Sequence, residues 1–380
     1  MKQRLVTPIG LNNRLPLARM DAPTETDSSP AWLRVAENID LSAGGFVRRR
    51  KGYALADSGA WHSLWSDSLD AYGVLNGDLV RVDIETLAHS VVATGINSSR
   101  VSYVRLPDGF VYWSDGQQIG RIDGNTARKA ATPKPNPVPI AFSEAGSLPA
   151  GRYQVMFTAI SEDGESGSTE PAVLDLADGG GIGFAGLTPS TLVYVTAPDG
   201  DIFNEVGQGS YLTLNNDGGT CNTFMLSSMP AGHSLSHFKG SLLVASGNWL
   251  YISEAYRYGL FNLGRGFIPF PAPISVVVPC EDGVYVCADK TYWLPGDPLA
   301  TTPIVVLPFG ALPFSSAFDA DTVTAYWQSK DGLIIAKPGG NAGAAQGDAL
   351  QFSKAQSGFT WVRDQLGEKH IVTTRFGAEK

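Results

Sequence analysis

Residues 278 to 296 read VPCEDGVYVCADKTYWLPG. A turn ending in Asp282-Gly283 leads into the apolar run Val284-Tyr285-Val286-Cys287, and a polar spacer separates that run from Tyr292-Trp293-Leu294. Short β-branched and aromatic runs bounded by such turns predict antiparallel strands. Two of the three cysteines, Cys280 and Cys287, lie seven apart here, with no histidine nearby and no Cys-x-x-Cys spacing. Zinc needs four ligands in a defined array, so the cysteines read as small buried residues on paired strands. The stretch is therefore one unit of something repeated.

Related stretches recur as VLNGDLVRVD at 74–83, LPDGFVYWSDGQQIGRID at 106–123, HFKGSLLVASGNWLYI at 237–252 and SKDGLIIAK at 329–337. Their turn glycines, Gly77, Gly109, Gly240, Gly283 and Gly332, are separated by 32, 131, 43 and 49 residues. Four-stranded propeller blades recur at about 40 to 50 residues. The long interval contains a foreign segment of about 95 residues at 138–233, a length suited to a small β-sandwich. In it Tyr153, Val155, Phe157 and Ala159 alternate along one strand. Removing about 95 residues leaves about 36 between Gly109 and Gly240, near the blade spacing. The predicted fold is all-β: a propeller of about five or six blades interrupted by an immunoglobulin-like or fibronectin-like sandwich. Its parts are an N-terminal arm at 1–30, propeller at 31–137, sandwich at 138–233 and propeller again at 234–380. The one stretch with helical promise is 28–40, where Ser29 and Pro30 suit a helix start.

Composition narrows the function. Of 380 residues 43% are hydrophobic and 17% charged, with 43 Gly and 24 Pro, a balance of strands and tight turns. A net charge of −9 argues against a basic face that grips nucleic acid, while an acidic wall lets DNA pass without sticking. No apolar run reaches a membrane-spanning length. Three cysteines and no leader pattern at the start predict synthesis in a reducing cytoplasm.

Other motifs favour plain readings. FDADT at 318–322 matches the nucleophile motif of haloacid-dehalogenase phosphotransferases, but it lies between strand-like runs and reads as a turn. GGGIGFAG at 179–186 lacks the Lys-Ser/Thr of a phosphate loop and reads as a flexible tip. His233 and His237 are four apart on a strand-and-turn stretch and need not share a face. No metal, cofactor or catalytic set is expected, so the chain reads as a non-enzyme. Arg48, Arg49, Arg50 and Lys51 form the one concentrated basic run. They suit a charge-protected strand edge or, together with Trp32, a docking surface for an acidic partner or a DNA backbone.

Several stretches resemble the nozzle, or tail-hub, proteins of short-tailed bacteriophages. They are NIDLSAGGFVRRRKGY at 38–53, YQVMFTAISEDGESGSTEP at 153–171, LVYVTAPDGDIFNEVG at 192–207, and HFKGSLLVASGNWLYISEA at 237–255 followed by 278–296. None of these patterns is catalytic, and Lys239 stands where many relatives carry Arg. The resemblance implies a virion tail protein made in the host cytoplasm, forming a six-fold ring that extends the DNA channel below an adaptor ring and above further tail proteins. It implies a gate that retains double-stranded DNA until infection, without sequence-specific binding. Trp32, Arg48, Arg49, Arg50 and Lys51 are then candidate assembly contacts. Two rivals stand beside this reading: another tail component such as a long-tail hub or adaptor, and a glycan-binding or glycan-degrading propeller using Tyr112, Trp113, Tyr292, Trp293, Tyr326 and Trp327. A bacterial scaffold or adhesion protein is a further option.

Overall fold

The chain is represented by a computed structural model that describes residues 8, 10–16, 20, 32–41, 47–50, 52, 54–96, 100–345, 349–365 and 368–377. Among these, the regular elements are strands apart from two single-turn 3-10 helices, Pro298–Ala300 and Pro338–Gly340. The fold is all-β. By chain contacts it divides into two compact units, 60–270 and 1–59 with 271–380.

In the first unit three four-stranded antiparallel sheets are built by strands adjacent in sequence. The first uses Trp61–Ser66, Ala71–Leu75, Asp78–Val82 and His89–Ala93. The second uses Ser102–Arg105, Val111–Ser114, Ile119–Asp123 and Thr126–Lys129. The third uses Ser234–Phe238, Ser241–Ser246, Trp249–Ile252 and Phe267–Pro269. The hydrophobic cores lie between successive sheets. Tyr72, Val74 and Leu79 of the first sheet meet Tyr103, Val111 and Trp113 of the second. On the opposite face, Leu106 and Tyr112 meet Leu235, Leu242 and Val244 of the third.

The second unit repeats the plan. Val276–Pro279, Gly283–Cys287, Thr291–Pro295 and Ile304–Leu307 form a fourth sheet; Ala317–Asp319, Thr324–Ser329, Gly332–Lys337 and Asn341–Ala344 form a fifth. Tyr285 and Trp293 pack on Trp327, with ring centroids 4.5 and 5.4 Å from that of Tyr285. The opening stretch is thus three strands of one sheet, and Cys280 and Cys287 belong to the core between two sheets. A long hairpin, Ser357–Gln365 with Glu368–Phe376, and a short one, Ile39–Leu41 with Val47–Arg49, complete this unit with the parallel pair Gly10–Leu11 and Trp32–Leu33. Of the stretch with helical promise, 28–31 with Ser29 and Pro30 lie outside the described residues; Trp32–Leu33 and Ile39–Leu41 are paired strands and the residues between them are irregular, because pairing outweighs weak local propensity. Asn13 exchanges backbone and side-chain hydrogen bonds with Ala349 and Gln351.

In every sheet burial grades from the second strand to the fourth. Ala71–Leu75 and Gly283–Cys287 are buried at each position, whereas His89–Ala93, Ile304–Leu307 and Asn341–Ala344 are largely exposed or half-exposed. The second strands begin at 71, 111, 241, 283 and 324, giving intervals of 40, 130, 42 and 41. The uneven spacing of the turn glycines arises because Gly77 and Gly332 close the second hairpin of their sheets while the other three accompany the first.

The segment between the second and third sheets has its own core. Gly151–Ser161 is the spine of a five-stranded sheet with Gly164–Glu165, Ala172–Leu176, Thr191–Thr196 and Phe203–Val206. Ile140–Leu148 pairs with Gly180–Ala185 as a second sheet. Tyr153, Val155 and Phe157 share one core with Leu148 and Ile182, and Met156, Tyr194, Phe203 and Cys221 cluster separately. The glycine-rich 179–186 stretch, read as a flexible tip, is mostly this paired strand. A Cβ at Gly183 would lie 2.5 Å from the Phe142 ring, so glycine there makes room for packing.

Asn76 and Gly77 both have positive φ, 54° and 91°, as a two-residue mirror-image hairpin turn requires. Gly283 has another role. A Cβ there would sit 2.4 Å from the Leu294 carbonyl oxygen and 2.5 Å from the Trp293 ring. Gly283→Ala is expected to destabilise the protein by about 1–3 kcal/mol through overpacking, and Gly77→Ala by about 1 kcal/mol or somewhat more through its backbone alone. Urea unfolding of both variants checks the ranking.

Candidate functional site

The arginine run is displayed by the short hairpin. Arg48 stands opposite Asp40 and Arg49 opposite Ile39 in the register. Arg50 donates from Nε to Asp40 Oδ1 at 3.0 Å and from its backbone N–H to the Asn38 carbonyl at 2.8 Å. Arg48, Arg49 and Arg50 are exposed, and Val47 beside them is 50% exposed. Among the described residues, Arg48 and Arg49 form no ion pair. Trp32 belongs to a different strand pair and is half-buried; its ring lies over Gly10, 3.2 Å from where a Cβ would stand. No hydrogen bond or ion pair among the described residues joins Trp32 to the arginines. Lys51 lies outside the described residues.

Charged ties hold the 60–270 unit together. Arg105 of the second sheet donates to Asp67 Oδ2 and Asp70 Oδ2, each at 2.5 Å, and Arg81 donates to Asp70 Oδ1 at 2.6 Å. Burial pushes the Asp67 carboxyl upward, but hydrogen bonds from Arg105 and from the Asp70 and Leu69 N–H groups outweigh it and hold the group below the usual carboxylate range. The inserted segment is fastened to the second sheet in the same way. Arg121 pairs with Asp163 and Arg128 with Glu162, while Thr132 Oγ1 donates to the Gly164 carbonyl at 2.8 Å. Around these residues lies a polar cavity of about 310 Å³ lined by Asp108, Tyr112, Arg121, Glu165, Tyr256 and Tyr258, among others.

The remaining sequence candidates fall into structural roles. Burial pushes the Cys280 and Cys287 thiols up to about 12, leaving negligible thiolate near neutrality. His237 Nε2 accepts the Gly240 N–H at 3.2 Å, and burial lowers the His237 pKa. The described residues contain no cluster of His, Cys, Asp and Glu suited to a metal ion. In FDADT, Asp319 ends a strand and takes hydrogen bonds from Lys369 at 2.7 and 2.9 Å, from Thr322 Oγ1 at 2.7 Å and from the Asp321 N–H at 3.1 Å. That carboxylate is fully engaged in a turn. Of the six aromatic residues considered for a glycan site, Tyr112, Trp113, Tyr292, Trp293 and Trp327 are buried, and Trp113, Trp293 and Trp327 are core members between sheets.

The charge of the chain is unevenly distributed, a signal present in the sequence once charge is counted segment by segment. Residues 138–233 hold eleven Asp and Glu against a single basic residue, Arg152, leaving 26 acidic and 27 basic side chains elsewhere. The whole negative excess thus resides in the insert. Its edge strand Phe203–Val206 carries Glu205, Asp201 precedes it, and the 217–219 stretch lies against it through the Glu205 N–H to Gly219 carbonyl bond of 2.9 Å. Asp201, Glu205 and Asp217 are exposed and form no ion pair among the described residues.

No protein-family model matches the chain, and no curated protein matches it. Solved structures similar to it include a catalytically inactive virginiamycin B lyase from Staphylococcus aureus with quinupristin. That chain is 11% identical, covered over 83% of this chain and 95% of its own, with a TM-score of 0.34. KlHsv2 with loop 6CD replaced by a Gly-Ser linker is 9% identical over 83% and 90%, with a TM-score of 0.33. An extracellular domain of a one-component system from B. thetaiotaomicron is 13% identical over 75% of this chain and 40% of its own, with a TM-score of 0.25. At these scores the likenesses indicate no function.

Hydrogen bonds from Lys369 and then Thr322 hold the Asp319 carboxyl below its usual value. A depressed carboxylate adds stability above its unfolded pKa, near 4, that is lost as pH falls through the folded value. Lys369→Met should therefore lower the thermal midpoint at pH 7, and the gap from wild type should narrow steadily between pH 5 and pH 2. Thermal melts across that range check it.

Proposed function

We propose that the chain is a non-enzymatic structural protein of a short-tailed phage particle, the subunit of a nozzle ring through which the genome is retained and then released. The observation that carries this reading is the order of parts: a charged hairpin, two stacked sheets, a separately cored insert, then further sheets of the same design. That is the order in which the tail-protein patterns run along the sequence. In this reading the five sheets are blades of a closed propeller and the hairpins at 39–49 and 357–376 supply the sixth. The contact of Asn13 with Ala349 and Gln351 latches the closure, and the insert is an immunoglobulin-like sandwich.

Physical requirements of a nozzle fit these parts. Stacked sheets make a stiff wedge with only short edges, and identical wedges close into a ring through head-to-tail contacts. Outside the insert 26 acidic and 27 basic side chains nearly balance, so the sheets carry no basic excess with which to hold a polyanion. Six copies per particle, the tail adaptor above and other tail proteins below are the expected setting.

Quantitative mass spectrometry of purified particles is the direct test. About six copies per portal ring supports the reading; absence from particles refutes it. Replacing Arg48, Arg49 and Arg50 by Ser is expected to leave a folded monomer by circular dichroism while reducing incorporation into particles at least tenfold. Normal incorporation removes the assembly role of the hairpin.

A further inference from the structure

We infer that the arginine hairpin of one copy docks on the acidic insert of the next, so that the chain associates head to tail through Arg48 and Arg49 against Asp201, Glu205 and Asp217. The inference deepens the ring reading by naming the partner surface, and it rests on that reading only for the ring's place in a phage.

Charge segregation is the first support. The insert carries eleven acidic residues and one basic residue, while the rest of the chain is close to neutral. Such a field attracts a basic surface and, between copies, opposes insert-to-insert contact, which favours a heterologous arrangement over a two-fold one. The second support is that both surfaces are free. Arg48 and Arg49 are exposed and unpaired among the described residues, whereas Arg50 is occupied by Asp40 and steadies the hairpin. Asp201, Glu205 and Asp217 are likewise exposed and unpaired there, whereas Glu162 and Asp163 are consumed by Arg128 and Arg121.

The third support is the apolar component at each surface. Val47 is 50% exposed next to Arg48, and Ile202 is 60% exposed next to Asp201. A surface of charges alone would be solvated and weakly held. A β-branched residue amid the charges gives each side an apolar anchor inside a polar rim. Both lie on or beside strand edges, Val47–Arg49 in the short hairpin and Phe203–Val206 at the end of the five-stranded sheet, and guanidinium forks match carboxylates bidentately.

The test uses the full-length chain and light scattering after size exclusion at 50 mM and 500 mM salt. Wild type is expected to form multimers at low salt that weaken at least tenfold at high salt. Arg48→Glu with Arg49→Glu, and separately Asp201→Lys with Glu205→Lys, should each give monomers with unchanged thermal midpoints. Mixing the two variants should restore multimers, because each carries the complement of the other's altered face. A monomeric wild type, association indifferent to both sets of swaps, or folded variants that fail to reassociate on mixing would each overturn the inference. So would loss of DNA or anionic-vesicle binding in the arginine variant with association intact. Association through these faces in a chain absent from phage particles would leave the contact standing and remove the tail reading.

Discussion

The second strands of the sheets are buried on both faces, and most of the architecture follows from that. Gly283–Cys287 has no exposed position, so its sheet needs an apolar neighbour on each side. Val276, Tyr285, Cys287 and Trp293 satisfy one side against Trp327, Ala325, Ile334 and Ala336 of the following sheet. The same holds between the first and second sheets and between the second and third. Leaving a buried face of such a sheet in water forfeits about 1.5–3 kcal/mol for each large side chain uncovered. The graded burial toward the fourth strands shows where solvent is admitted instead.

Strand composition and turn chemistry made much of this legible. Asn76-Gly77 and Lys239-Gly240 have the positive φ pairs that such dipeptides announce, and the alternation of Tyr153, Val155 and Phe157 marks one core face. Elements whose residue types were chosen by distant neighbours were harder. Gly283 looked like a turn residue but is required by Trp293 and the Leu294 carbonyl, and Gly183 looked mobile but accommodates Phe142. The described part of the stretch with helical promise contains Trp32–Leu33 and Ile39–Leu41, where strand pairing overrides that local preference. Spacing between glycines is a poor ruler because a glycine can serve either hairpin of a sheet.

The candidate contacts divide in the same way. Concentrated charge at 48–50 was readable as an exposed edge, and the hairpin exposes it. Trp32 was grouped with the arginines by proximity in sequence, yet it packs over Gly10 in another strand pair. The acidic counterpart was present in the residue counts all along, but net charge summed over the chain concealed it. Counted over 138–233 and the remainder separately, an ordinary value of −9 resolves into one strongly acidic segment in an otherwise nearly neutral chain.

The hydrogen bonds between Asn13 and the segment at 349–351 also constrain how the molecule is made. Residue 13 leaves the ribosome long before its partner is synthesised, and at about 5–20 residues per second the interval is on the order of tens of seconds. Sheets formed from consecutive strands can assemble during translation, whereas this contact waits for nearly the entire chain. The strand pair Gly10–Leu11 with Trp32–Leu33 can form early, whereas the Asn13 tie forms late, and a nascent chain truncated before residue 349 retains the local sheets without it.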